Sequence, residues 1–146
     1  MEWLPHVTVA TIVERDGKYL LVEEVSNGDL VFNQPAGHLD ANETLQQAAI
    51  RETFEETGWT VTLKGIVGLA LYTSPHNQVT YHRTTFIAEA ISHNPDLALD
   101  DGIQQVLWMS YEEMLVNVDK MRSSLVIKSI EQYRAGHHYP LDMIFD

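Results

Sequence analysis

A short segment in the first half of the chain places four glutamates and an arginine between two glycines. It reads G-x5-E-x7-R-E-x2-E-E-x-G, with fixed members Gly37, Glu43, Arg51, Glu52, Glu55, Glu56 and Gly58. At average residue usage, a chance match in a chain of 146 residues has a probability on the order of 10⁻⁷ to 10⁻⁶. The pattern is therefore specific enough to predict a chemical site.

Three of these carboxylates are predicted to share one face of a helix. At about 100° per residue, Glu52, Glu55 and Glu56 fall within a ~100° arc. Carboxylates this close repel one another, and without a partner at least one pKa should rise. Mg²⁺ or Mn²⁺ relieves the repulsion, because hard divalent cations take oxygen ligands. The spacing thus predicts a metal site, against the alternative of a solvated acidic face.

The other members of the segment are predicted to support that site. Gly37 lacks a side chain, so its loop can bring a backbone carbonyl close to the same metal. Arg51 lies four residues before Glu55 and eight after Glu43, where it can orient a carboxylate. Gly37, Gly58 and Glu43 all occur at the spacing of the motif, which favours a metal site over a solvated acidic face.

The predicted metal site requires that these acidic residues lie on a helix, and the sequence indicates where that helix begins and ends. Asn42 is a plausible N-cap for a helix from about Glu43 to Thr57, and Gly58 suits a left-handed C-terminal position. Ile50 and Phe54 lie on the side away from the carboxylates and are expected to pack against the core. Before this helix, Pro35 and Gly37 are expected to break regular structure.

The rest of the chain alternates strands with two further helices. Asp16-Gly17 predicts a hairpin turn. Ser110 has capping-box spacing and should open a helix to about Val118, and Ser123 or Ser124 should open another that ends before Gly136. The expected strands are Val7 to Glu14, Tyr19 to Val25, Leu30 to Phe32, Val61 to Leu71, Thr80 to Ala90 and Gln105 to Met109. The pattern predicts one α+β or α/β/α domain over residues 1–146.

Composition excludes several functional classes. The net charge of −12 and the lack of a basic stripe argue against binding a nucleic-acid polymer. A phosphate substrate would need metal cations to supply positive charge. The absence of cysteine excludes disulfides, thiolate catalysis and cysteine-based metal sites. We see no signal peptide and no apolar run long enough to cross a membrane, so a cytoplasmic protein is expected.

The segment from Gly37 to Trp59 resembles the Nudix box, the signature of the Nudix hydrolase family. Thr53 stands where the family usually has an aliphatic residue, and it can still pack. The resemblance implies the Nudix fold, a mixed β-sheet sandwiched between α-helices, and hydrolysis of a nucleoside diphosphate linked to another group. It further implies that Glu55, Glu56 and the Gly37 carbonyl bind metal, that Glu52 is a ligand or the general base, and that Glu43 and Arg51 support them.

Segments outside the box resemble a bacterial phosphatase subgroup of the family. They are Pro5 to Ala10, Asn33 to Leu39, Arg122 to Val126 and Tyr139 to Asp142. This likeness implies release of orthophosphate from nucleoside tri- and diphosphates and from thiamine-type pyrophosphates. The alternatives are hydrolysis of oxidised nucleotides, sugar nucleotides or dinucleoside polyphosphates, or a non-catalytic nucleotide sensor. A sensor would be expected to lose part of the carboxylate set, which is complete here.

Residues that contact the substrate are less clearly marked by the sequence. Gln34 and His38 flank the metal loop, and Arg83 carries a planar guanidinium suited to phosphate, with a surface ion pair as the alternative. Asp100 or Asp101 is the candidate for a fourth carboxylate. Tyr72 and Phe32 could stack on a base, although core packing is the better expectation for each. The oligomeric state, monomer or homodimer, is left open.

Overall fold

The computed structural model describes residues 2–145, which contain seven strands and three α-helices in one chain order. Two short 3₁₀ turns lie at Val118–Lys120 and Leu141–Met143. The elements are β1 (His6–Arg15), β2 (Lys18–Ser26), β3 (Asp29–Asn33), β4 (Ala36–His38), α1 (Leu45–Thr57), β5 (Trp59–Thr73), β6 (Thr80–His93), β7 (Ile103–Ser110), α2 (Tyr111–Val116) and α3 (Ser124–Arg134).

The strands form one mixed sheet in the order β3-β2-β1-β6-β5. Strand β4 pairs with β1 and strand β7 pairs with β2, off this path. β1 and β6 run parallel, and the other pairs run antiparallel. The hairpin between β1 and β2 turns at Asp16 and Gly17, which both have positive φ, as a two-residue Asp-Gly turn requires.

Helices cover both faces of the sheet. Successive residues of a strand point to opposite faces. Accordingly Ile66 and Phe86 pack with α1, whereas their neighbours Val67 and Ile87 belong to the core that holds α3. The α1 side of this contact is made by Ala48 and Ala49. The predicted α/β/α arrangement is confirmed.

Helix α1 begins later than the sequence indicated. The N-cap is Thr44, whose hydroxyl accepts a hydrogen bond from the Gln47 amide at 3.0 Å. The Gln47 side chain in turn accepts from the Thr44 amide at 2.9 Å, which completes a capping box. The prediction of Asn42 as the cap is wrong, because this reciprocal pair satisfies the first amides instead. Gly58 ends the helix in the left-handed conformation, as predicted, with φ 76°.

Two other local expectations are also corrected. The segment Ala36–His38 is a strand rather than a break, because Pro35 lies just before it and Gly37 pairs with Val9 of β1. Ile50 is 37% exposed and does not pack in the core. The buried side of α1 instead includes Thr53, whose hydroxyl bonds to Thr11 on β1 at 2.8 Å.

The later helices keep close to their predicted positions. Ser110 caps α2 with a full capping box, but α2 ends at Val116 and the next residues form a 3₁₀ turn. Ser123 caps α3. Across residues 2–145, no helix is both long enough and apolar enough to pass through a membrane.

Candidate metal centre and substrate cavity

Three carboxylates from two segments meet at the exposed side of α1. Oxygen atoms of Glu52, Glu55 and Asp100 all lie within 4.8 Å of one another. Asp100 belongs to the loop before β7, and its backbone amide donates to the Glu55 carbonyl at 3.2 Å. That bond ties the loop to the helix. Asp101, the other candidate for the fourth carboxylate, is exposed in the adjoining turn and outside this cluster.

Glu56 lies next to the cluster but is buried, with 8% of its surface exposed. Its Oε1 accepts a hydrogen bond from the Ala36 amide at 3.0 Å. Burial is the main cause that raises the pKa of this carboxyl to about 9. The nearby charges of Glu24, Glu52 and Asp100 contribute to the rise, and the hydrogen bond from the Ala36 amide opposes it. A carboxyl in this position carries a proton at neutral pH unless a cation takes the proton's place.

Gly37 brings strand β4 directly against Glu52. A Cβ added at Gly37 would overlap the Glu52 carboxylate. Burial raises the pKa of Glu52, while hydrogen bonding to Arg51 opposes the rise. Glycine is therefore required here for close approach, and its backbone φ is not positive.

Arg51 connects the acidic residues of the motif. Its guanidinium donates to Glu43 at 2.6 and 2.9 Å and to Glu52 at 2.6 Å, and it reaches Glu55 at 3.3 Å. It also donates to the His38 carbonyl at 3.0 Å. Hydrogen bonding to Arg51 lowers the pKa of Glu43, and the same set of acceptors raises the pKa of Arg51. Arg51 thus contacts three carboxylates of the motif and is placed where it can orient them.

A cavity of about 610 Å³ opens beside this cluster. Gly37, Glu52 and Glu56 line it, and so do the cationic side chains of Arg83 and Arg122. These are the residue types needed for a substrate that carries phosphate at one end. The cavity therefore places carboxylates and cations around the same space.

Gln34 and Arg83 form a buried hydrogen-bonded pair. Gln34 is 1% exposed, donates to the Val126 carbonyl at 2.8 Å and accepts from Arg83 at 2.7 Å. Arg83 is 7% exposed and lines the cavity, whereas Gln34 does not. Gln34 therefore holds the guanidinium in place.

Aromatic side chains border the same cavity. His38 lines it and lies 3.0 Å from His6, ring nitrogen to ring nitrogen. Burial lowers the pKa of His38, and the adjacent His6 adds to that effect. Tyr72 and Tyr81 are cross-strand partners on β5 and β6, and both line the cavity. Phe32 is 8% exposed in the core, as expected.

The cavity residues that were not anticipated from the sequence include Glu24, Asn33 and Arg122. Arg122 Nη1 donates to Glu24 Oε2 at 2.6 Å, and Asn33 Nδ2 donates to the same oxygen at 3.2 Å. The sequence contained a signal for one of these residues, Glu24. Glu24 continues the alternation of Leu20 and Val22 along β2, so a carboxylate stands where an apolar residue is expected.

Comparison with known proteins identifies the family. The family model of the NUDIX domain matches residues 4–128 of the chain. The chain belongs to the Nudix family. It is 42% identical over 142 residues to Phosphatase NudJ of Escherichia coli K12, covering 97% of this chain and 92% of that protein. As a Nudix protein it is a hydrolase that acts on phosphorus-containing anhydrides.

Solved Nudix structures share the fold. A NUDIX hydrolase from Nitrosomonas europaea is 42% identical, with a TM-score of 0.96 and coverage of 98% of this chain and 97% of that one. A bifunctional NMN adenylyltransferase/ADP ribose pyrophosphatase from Francisella tularensis, complexed with AMP and a Mn ion, is 25% identical. Its TM-score is 0.66, and the match covers 92% of this chain and 43% of that one.

The donor set suits the divalent metals that Nudix proteins generally use. The cluster offers only carboxylate oxygens, which hard cations prefer. The Glu52 carboxylate can pack against strand β4 at this point because Gly37 has no side chain. Both observations fit a divalent cation held by oxygen ligands.

Proposed function

We propose that this Nudix hydrolase releases orthophosphate from nucleoside tri- and diphosphates and from thiamine-type pyrophosphates, with Mg²⁺ or Mn²⁺ as cofactor. The observation that carries the proposal is the cluster of Glu52, Glu55 and Asp100 beside Gly37, at a cavity that also holds a buried arginine. The 42% identity with a phosphatase supports the choice of orthophosphate as the product. The AMP and Mn ion in the Francisella neighbour support a nucleotide substrate and a divalent metal.

Different side chains of the chain are proposed to bind the metal, to activate water and to bind phosphate. The metal would be held, beside Glu52, by the carboxylates of Glu55 and Glu56 and the Gly37 carbonyl, with Asp100 as the further carboxylate. When bound, Mg²⁺ offsets the phosphate charge and lowers the pKa of a water molecule. Glu52 accepts the proton of the attacking water, and Arg51 fixes the position of that carboxylate. Attack at phosphorus then breaks the anhydride bond.

Arg83 is the proposed phosphate ligand of the chain. Within residues 2–145 its Nε has no hydrogen-bond partner, and the side chain is buried without a paired carboxylate. Burial lowers the pKa of Arg83 to about 10, so the group still carries its charge at neutral pH. A buried, unpaired cation costs free energy, which an anionic ligand in the cavity recovers.

Arg83→Lys is expected to raise KM for nucleotides about tenfold, with a much smaller change in kcat. Lysine keeps the charge but lacks the planar fork of donors that matches a phosphate. Steady-state kinetics with ATP and Mg²⁺ measures both constants. Arg134→Lys is the matched control, because Arg134 is on α3 and outside this cavity. An unchanged KM in Arg83→Lys would remove Arg83 from the substrate site.

The products distinguish the proposed reaction from the other Nudix activities. Wild-type protein with Mg²⁺ is incubated with nucleoside tri- and diphosphates, thiamine diphosphate, sugar nucleotides and dinucleoside polyphosphates. Orthophosphate and pyrophosphate are measured separately. We expect orthophosphate from the nucleoside triphosphates, the nucleoside diphosphates and thiamine diphosphate. Predominant pyrophosphate from triphosphates would show that a different phosphorus is attacked, and preferred cleavage of a sugar nucleotide would reassign the substrate.

A further inference from the structure

The hairpin of β2 and β3 contributes a buried polar pair to the cavity wall. Val22 pairs with Asn33 and Glu24 pairs with Val31, so Asn33 and Glu24 are diagonal neighbours on one face of the sheet. Each is only 7% exposed, and both line the cavity. Nothing in the proposed hydrolysis uses either side chain, so their burial needs a separate explanation.

The hydrogen bonds of this pair determine which way the Asn33 amide faces. Glu24 Oε2 already receives the Arg122 guanidinium, so it acts as a carboxylate oxygen that only accepts. The Asn33 atom that approaches it must be the donor nitrogen, at 3.2 Å. Asn33 Oδ1 then points elsewhere, and no donor from residues 2–145 reaches it. A buried acceptor without a donor is costly and rare in native proteins.

A second acceptor is available beside the first. Both Asn33 Nδ2 and Arg122 Nη1 approach Oε2 of Glu24, which leaves Oε1 for a ligand. An exocyclic amino group carries two donor hydrogens, a hydroxyl carries one, and a carbonyl carries none. Two neighbouring acceptors therefore match an amino group best and reject a carbonyl at the same place.

We propose that Asn33 and Glu24 form a specificity subsite that binds the exocyclic amino group of the substrate's heterocyclic base. The ion pair with Arg122 keeps the Glu24 carboxylate in place. This inference rests on the proposed function, since it takes the cavity to be the nucleotide site. It adds that bases bearing an amino group are preferred over otherwise similar bases bearing a carbonyl.

CMP and UMP test the subsite directly, because the exocyclic amino group of CMP is a carbonyl in UMP, with a matching change from acceptor to donor at the adjoining ring nitrogen. Neither contains an anhydride to hydrolyse. Isothermal titration of the wild-type protein with Mg²⁺ should show CMP binding about tenfold or more tightly than UMP. The loss for UMP comes from two unpaired acceptors facing a carbonyl oxygen. Because the measurement needs no turnover, its failure is separate from a failure to release orthophosphate.

The Glu24→Gln variant tests the role of the Glu24 acceptor more specifically than the wild-type comparison does. The glutamine oxygen can remain with Arg122 and Asn33, which places the amide nitrogen where Oε1 was. An acceptor is thus exchanged for a donor at nearly constant shape, and the preference for CMP should disappear. Glu23→Gln is the matched control, since Glu23 precedes Glu24 on β2, faces the opposite side and accepts from Gln105.

Four results would overturn the subsite. They are equal affinities for CMP and UMP in the wild type, no binding of either at millimolar concentration, a CMP preference that Glu24→Gln leaves intact, or a discrimination of CMP from dCMP as large as that from UMP. The last result would assign the acceptors to a ribose hydroxyl. Asn33→Leu, checked for folding by its thermal midpoint, should lose the CMP preference as well.

Discussion

Glu56→Gln is expected to lower metal-dependent kcat by about a thousandfold while leaving the metal-free protein at least as stable as the wild type. Glutamine has the shape of a protonated glutamate, and its oxygen can still accept from the Ala36 amide. It cannot supply the negative charge that a cation requires. The substitution therefore removes the metal-binding role of Glu56 and keeps its packing.

The stability half of this prediction depends on pH. The pKa of Glu56 is about 9 in the folded protein and near its ordinary value of 4.5 when unfolded. Below the lower value both states are protonated, and the group costs nothing. As pH rises towards 9 the unfolded state ionises first, so the wild-type protein loses stability progressively. Glu56→Gln has no such group and should lose less stability over the same interval.

Thermal denaturation in EDTA from pH 5 to pH 9 measures this difference, and steady-state phosphate release with Mg²⁺ measures kcat. The control is Glu112→Gln, an exposed glutamate on α2 that lines no part of the cavity. Unchanged magnesium-dependent turnover in Glu56→Gln would show that the metal site is wrongly assigned. A variant that is less stable than wild type at pH 9 would contradict the raised pKa.

The local part of the site could be predicted because it lies within one helix. The period of the helix and the spacing of Glu52 and Glu55 define their common side before any tertiary contact is known. Gly58 ends α1 where the pattern placed it, since the left-handed C-cap is a local property. The N-cap was missed by two residues, because Asn42 and Thr44 are both good caps and only the side-chain pairing with Gln47 separates them.

The remainder of the site depends on segments that are distant in sequence. Asp100 and Asp101 are equivalent as a sequence pattern, and the bond from the Asp100 amide to the Glu55 carbonyl is what selects Asp100. Gln34 was expected at the substrate because it adjoins the metal loop, yet it contacts Arg83 and the carbonyl of Val126. Such partners follow from the packing of α3 on the sheet, which no local pattern encodes.

Gly37→Ala should reduce kcat/KM by about a hundredfold, because it changes the approach of β4 to α1 without changing any charge. The new methyl group would occupy the position of the Glu52 carboxylate. Either β4 moves away from β1, or Glu52 rotates out of the cluster with Glu55 and Asp100. Both outcomes separate the general base from the metal ligands by more than the fraction of an ångström that catalysis tolerates.

Gly68→Ala is the matched control for this change. Gly68 is also a strand glycine, but a Cβ there would meet Gln132 at 3.7 Å, an ordinary contact. Activity should therefore fall in Gly37→Ala and persist in Gly68→Ala, measured as Mg²⁺-dependent phosphate release with the thermal midpoint as the folding check. If Gly37→Ala keeps full activity, the close packing of Gly37 on Glu52 is not what positions the base. If activity is lost in Gly37→Ala alone and the protein still folds, catalysis depends on the close packing of the Gly37 backbone against the Glu52 carboxylate.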